Sequence, residues 1–223
     1  MATLSNLKAN DAFAGSPDSQ AAPNRVPDLT VEFWLIKLMA VTMGETAADF
    51  LAVNLGLGLT VTSLLIAAVL IGALALQFRQ RRYLPWSYWL AVVMISIVGT
   101  LLTDNLVDNF GVSLVTKTVL FTVLLGLTFA AWYISERTLS IHEIMTTRRE
   151  AFYWLAILFT FALGNAAGDL VAERFALGYM ATGILFGMII ASVTAGYYIL
   201  KLDSIWAFWI AYIFTRPAGR ILW

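Results

Sequence analysis

The chain has no cysteine and a single histidine, His142. That excludes disulfides, thiolate metal centres, bis-histidine haem and most zinc chemistry. Charge is scarce as well: 14 basic and 14 acidic residues among 223 cancel to a formal net charge of zero, so position matters more than balance. No nucleic-acid partner is expected. Enzyme signatures are also missing. There is no helical His-Glu-x-x-His and no serine with a histidine partner inside an apolar stretch, and His142 falls in a polar segment. The last apolar segment carries Arg216 where a retinal protein would need a lysine, so seven spans do not argue for photochemistry. No enzyme activity and no cofactor are expected.

Apolar residues take up the space. They make up 60% of the chain, and the mean hydropathy of +0.80 lies far outside soluble usage. Runs of about twenty apolar residues alternate with short polar breaks, as in several membrane-spanning helices. The expected fold class is all-α, a polytopic helical membrane protein with the lipid bilayer as its first partner. Spans are read at roughly 33–53, 58–78, 88–107, 112–134, 152–172, 176–199 and 205–223.

A motif recurs along the chain. Phe33-Trp34, Tyr88-Trp89 and Tyr153-Trp154 each precede a glycine ten residues after the tryptophan (Gly44, Gly99, Gly164). An aspartate follows at fifteen (Asp49, Asp104, Asp169). A fourth copy begins at Phe208-Trp209 and reaches Gly219 on schedule, and the chain ends one residue before its aspartate. Such repetition is read before any fold is assigned. Each repeat holds one motif helix and one plainer helix, so all motif helices run in one direction, with the fourth repeat truncated. The expected division is a disordered cytoplasmic tail at 1–26 and a first half of two repeats at 27–134. A cytoplasmic linker at 135–151 then leads to a second half at 152–223, one repeat plus a partial one.

Basic residues cluster after every second span. Arg79, Arg81, Arg82, Arg137, Arg148, Arg149 and Lys201 join Lys8 and Arg25 on one side, against Arg174 alone on the other. The positive-inside rule puts the N-terminus and these loops in the cytoplasm of a bacterial-type inner membrane.

Helix geometry then sets depth. Fifteen residues from an interfacial tryptophan is about 22 Å along the axis, in the outer quarter of a core about 30 Å thick. The tryptophans read as interfacial anchors and the glycines as close-packing contacts. Four residues before each aspartate stand Glu45, Thr100 and Asn165, on the same helical face. If the motif helices share an axis, Glu45, Asp49, Thr100, Asp104, Asn165 and Asp169 converge on a cation or substrate site. Its oxygen donors suit hard cations, with a metal feasible at Glu45, Asp49, Asp104 and Asp169, and the carboxylates can carry protons. Lys37, Lys117 and Arg216 are the candidate charge partners. Lys117 departs from Thr62 and Thr182 at the equivalent repeat positions.

The first copy stands as Phe33-Trp34-Leu35-Ile36-Lys37 and Thr42-Met43-Gly44-Glu45-Thr46-Ala47-Ala48-Asp49. With the late Thr215-Arg216-Pro217, it resembles a bacterial family of repeat-containing, uncharacterised multi-pass membrane proteins with an FWxxKxxxxTxGExxAD repeat. The resemblance spans about residues 27 to 219 and implies a membrane fold without naming an activity. The residues themselves favour a transporter of a cation, a divalent metal or a proton-coupled one. The alternatives are a proton-coupled organic-anion or solute carrier using Lys37, Lys117 and Arg216, and a non-transporting scaffold subunit. A homo-oligomer is compatible with any of these.

Overall fold

The computed structural model describes residues 24–219, and among them the chain is seven α-helices with no strand. They are α1 (Val31–Asp49), α2 (Leu59–Arg79), α3 (Pro85–Asp104), α4 (Leu114–Glu136), α5 (Thr147–Asp169), α6 (Gly178–Leu200) and α7 (Ser204–Ala218). Local chemistry sets their starts. Thr30, Ser113, Thr146 and Asp203 accept backbone N–H bonds as N-caps, and Pro85 occupies the first turn of α3. α4 and α6 stop at Arg137 and Lys201, which take the left-handed conformation. These helices fall within a few residues of the seven expected spans.

Five of them, α2 to α6, are long and apolar enough to cross a membrane. α1 and α7 are not among the five. Among the described residues α7 has 15 residues. In α1, Glu32, Lys37, Glu45 and Asp49 lower the apolarity, yet Lys37 and Glu45 turn inward and are buried. The opposite face of α1, with Leu35, Met39 and Met43, is apolar and exposed.

The repeat glycines organise the packing. A Cβ on Gly44 of α1 would overlap the Ser96 side chain of α3. One on Gly99 of α3 would stand 3.1 Å from Phe161 Cβ of α5, and one on Gly164 of α5 would stand 2.6 Å from Arg216 Cβ of α7. Gly219 closes the circuit against Leu38 and Val41 of α1. Each glycine, at Trp+10, thus meets the residue at Trp+7 of the next motif helix: Ser96, Phe161, Arg216 and Val41 in turn. The order α1, α3, α5, α7 and back to α1 is a ring. In the plainer helices, Gly72, Gly126 and Gly187 have no neighbour within 4 Å, and Gly196 of α6 meets Leu202 of the turn that follows it rather than another helix. The close-packing expectation for the motif glycines therefore holds, and its physical basis is helix approach without a Cβ.

The plainer helices pack outside this ring, α2 on α3, α4 on α5 and α6 on α7. The main core fills one end of the ring with aromatic side chains, among them Phe33, Tyr88, Tyr153, Trp154, Phe208 and Trp209. That end also holds the linker, with a short 3-10 turn at Ile141–Glu143. One boundary shifts here. Residues 24–26, expected in a disordered tail, are anchored: Arg25 N–H bonds Ile144 O at 3.1 Å and Val26 is buried in the core. The cause is a buried carboxylate on α5 that composition could not reveal. The rest of the expected tail, and residues 220–223, lie outside the described residues.

Candidate functional site

Positions four apart on one helix share a stripe, so Trp−1, +3, +7, +11 and +15 form the inner stripe of each motif helix. Contacts between equal positions show these stripes meeting level by level. At Trp−1, the Tyr88 and Tyr153 hydroxyls are 2.6 Å apart. At Trp+3, the Lys37 ammonium donates to Tyr212 O at 2.7 Å and lies 3.2 Å from the Tyr212 ring centroid. At Trp+7, Ser96 donates to Val41 O at 3.3 Å. Arg216 Nη1 donates to Ser96 Oγ at 2.5 Å and to Val41 O at 3.3 Å, and its guanidinium lies 5.6 Å from the Phe161 ring. All four Trp+7 residues therefore meet around Arg216, which also donates to Thr100 Oγ1 at Trp+11.

Beyond Arg216 the ring opens. A cavity of about 530 Å³ is lined by Glu45 and Asp49 of α1, Thr100 and Asp104 of α3, and Asp169 of α5. Asp108, Glu173 and Lys117 also line it, so six carboxylate residues face one lysine. Lys117 of α4 reaches in from outside the ring and pairs with Asp169 at 2.7 Å, both side chains being at least nine-tenths buried. The adjacent Thr118 hydroxyl donates to Ala166 O and fixes α4 on α5. Tyr179 of α6 holds Glu173 at 2.7 Å.

The predicted residues thus divide. Five of the six oxygen-bearing residues line one cavity, as a shared axis requires. Asn165 does not: it is buried and donates to Thr103 Oγ1 at 2.6 Å, joining α5 to α3 behind the lining. Lys117 is at the cavity as a carboxylate partner. Lys37 lies two levels away, in an aromatic box with Trp34 and Phe161. Such contacts with aromatic faces are worth about 2 kcal/mol each when desolvated and offset part of the cost of burying an ammonium. Pro217 lies inside α7 beside Arg216. It has no N–H for Ile213 O, one turn earlier. Among the described residues, no three Asp, Glu, His or Cys side chains are grouped closely enough to hold a metal ion. The four carboxylates of the metal expectation share the cavity without forming such a group.

One feature had no signal in composition. Directly after Asp49, Asp104 and Asp169, the helices widen into π-helical turns at Phe50–Asn54, Asn105–Asn109 and Leu170–Arg174. Isolated π turns recur at functional sites because they redirect side chains and loosen backbone bonding. Here the second and third supply Val107, Asp108 and Glu173 to the cavity lining, and the first follows directly on the lining residue Asp49. Asn105 braces one of them, donating to Ser63 Oγ on α2 at 2.7 Å.

Fold and site together define an all-helical, repeat-built protein, compatible with a multi-pass membrane protein, whose repeats enclose one acidic cavity. The chain belongs to the family of the Repeat of Unknown Function (DUF347), whose model matches residues 33–83, 87–138 and 152–202. These segments begin beside the aromatic-tryptophan pairs and cover most of α1–α2, α3–α4 and α5–α6. No curated protein and no solved structure matches the chain.

Proposed function

We propose that this chain is an integral membrane carrier for a cationic solute, bound among the carboxylates of the ring and exchanged against protons there. In this reading all seven helices cross the membrane, with the motif helices parallel. The N-terminus and basic loops face the cytoplasm of a bacterial-type inner membrane. The observation that carries it is the convergence of Glu45, Asp49, Asp104 and Asp169, from three helices, on one cavity of about 530 Å³. Intramembrane carboxylates are expensive to bury and mark ion or substrate paths. The cavity holds far more than a bare ion, and its acids do not form a three-ligand metal group. Both points favour a small organic cation over a directly ligated metal. Arg216 on the axis repels a cation moving straight through, so binding and release are steps of a carrier rather than a pore.

The test is ligand stabilisation and flux in purified, reconstituted protein. A linear diamine, a divalent metal salt and an organic monoanion serve as probes. The diamine is expected to raise Tm and drive proton counterflow in wild type, and Glu45→Gln with Asp49→Asn to remove both effects while keeping the fold. Stabilisation by the anion alone, or equal counterflow in the double variant, would sink the proposal.

A further inference from the structure

The end of the ring opposite the cavity carries a second built feature. Glu150, at the start of α5, is fully buried. It accepts from Gln77 Nε2 of α2 at 3.0 Å and from Trp154 Nε1 at 3.3 Å, and Ser87 of α3 donates to Gln77 Oε1 at 2.8 Å. Its other oxygen is taken by Arg25, at 2.7 Å, from the segment before α1. The same segment is sewn to the linker: Asn24 Nδ2 donates to Ile141 O at 3.1 Å and the Arg25 N–H to Ile144 O. Val26, Ile141 and Ile144, each at most 4% exposed, press into the aromatic end of the core. On the far side, Trp209 of α7 donates to Leu139 O at 3.2 Å. The strap at residues 24–29 and the linker therefore lie as one cover across the motif-helix N-termini.

The ion pair in this cover is peculiar to one place in the repeat. The positions equivalent to Glu150, four residues before each motif tryptophan, are Thr30, Pro85 and Ile205. The fold is thus built three times without a carboxylate there. A buried ion pair seldom exceeds well-packed apolar groups in stability, because desolvation offsets the attraction. It differs in what opening costs. When the strap lifts, both ions regain water, whereas an apolar plug would lose its burial outright.

We propose that Arg25 and Glu150 are the latch of a lid formed by the strap and linker, and that releasing it opens the ring on the side away from the cavity. This rests on the carrier reading, in which the carboxylate site must be reached from both sides in turn. The structure is then the state closed at the lid end.

The absence of native cysteine makes a direct test simple. Single cysteines are placed at Ala91, buried near the lid end of α3, and at Ala162, buried off the inner stripe of α5 in a cluster with Phe121 of α4. An impermeant maleimide is applied to full-length protein in vesicles, from the N-terminal side. With the latch intact both sites should label slowly. Arg25→Ala and Glu150→Gln should each speed labelling at Ala91→Cys by about tenfold or more, with Ala162→Cys unchanged and Arg25→Lys near wild type. Unchanged labelling at Ala91→Cys in both folded variants overturns the latch. So does parallel acceleration at Ala162→Cys, which would mean general loosening. Labelling needs no transported solute, so failure of the latch and failure of the carrier reading are seen separately.

Discussion

At the scale of single residues, the repeat glycines were legible and their partners were not. Ten residues from a tryptophan in an apolar helix, a glycine is most simply a helix contact, and Gly44, Gly99 and Gly164 are that. The residues they touch at Trp+7, Val41, Ser96, Phe161 and Arg216, have no common chemistry, so no repeat pattern could single them out. Their equivalence exists only once the ring is formed. The same lack of likeness hid the role of Arg216 as the residue that gathers the other three. Gly164→Ala should be costly, since its Cβ would meet Ile213 O at 2.9 Å as well as the Arg216 side chain, and a backbone carbonyl cannot swing aside. A loss of roughly 1–3 kcal/mol is expected, of the size seen for overpacking. Gly126→Ala, with nothing within 4 Å, should be neutral or slightly stabilising through helix propensity. Thermal unfolding in detergent separates the two, and equal Tm values would contradict the ring contact.

At the scale of elements, helix extents and the inward stripe of carboxylates followed from periodicity and depth, because both depend on one helix at a time. The π turns did not, since nothing in Phe50–Asn54 or Leu170–Arg174 distinguishes a π turn from an α turn by composition. Nor did the retreat of Asn165 behind the lining, which depends on where Thr103 of a neighbouring helix falls. Lys117 was legible as a departure from Thr62 and Thr182, and the structure shows its purpose, a clamp between α4 and α5 through Asp169. Lys117→Met removes the ammonium from a buried carboxylate and is expected to destabilise by about 3–5 kcal/mol. The double variant Lys117→Met with Asp169→Asn replaces the pair by neutral groups and should recover most of that loss. Chemical denaturation of the two single variants and the double one closes the cycle. Additive losses would show that the pair is not coupled.

At the scale of the whole molecule, the ring explains why hydropathy alone recognises five crossing helices where seven are proposed. α1 carries Lys37 and Glu45 on the face that the ring encloses, so averaging along the helix counts both against a segment whose outer face is apolar. α7, held between α5, α6 and α1, spans about 22 Å within Ser204–Ala218, shorter than a hydrocarbon core of about 30 Å. If both helices nevertheless cross, successive turns must alternate between the two faces of the membrane. Single cysteines at Gln80, Thr138 and Leu202 should then react from the same side as the N-terminus, and those at Leu57, Val112 and Ala176 from the other. The lid and the cavity mouth would accordingly face opposite compartments, which a carrier requires. A cysteine at Leu57 reacting on the N-terminal side would leave α1 lying against the membrane instead of through it. The ring would then lose one wall of its cavity to solvent, and Glu45, now buried, could no longer serve in an enclosed site.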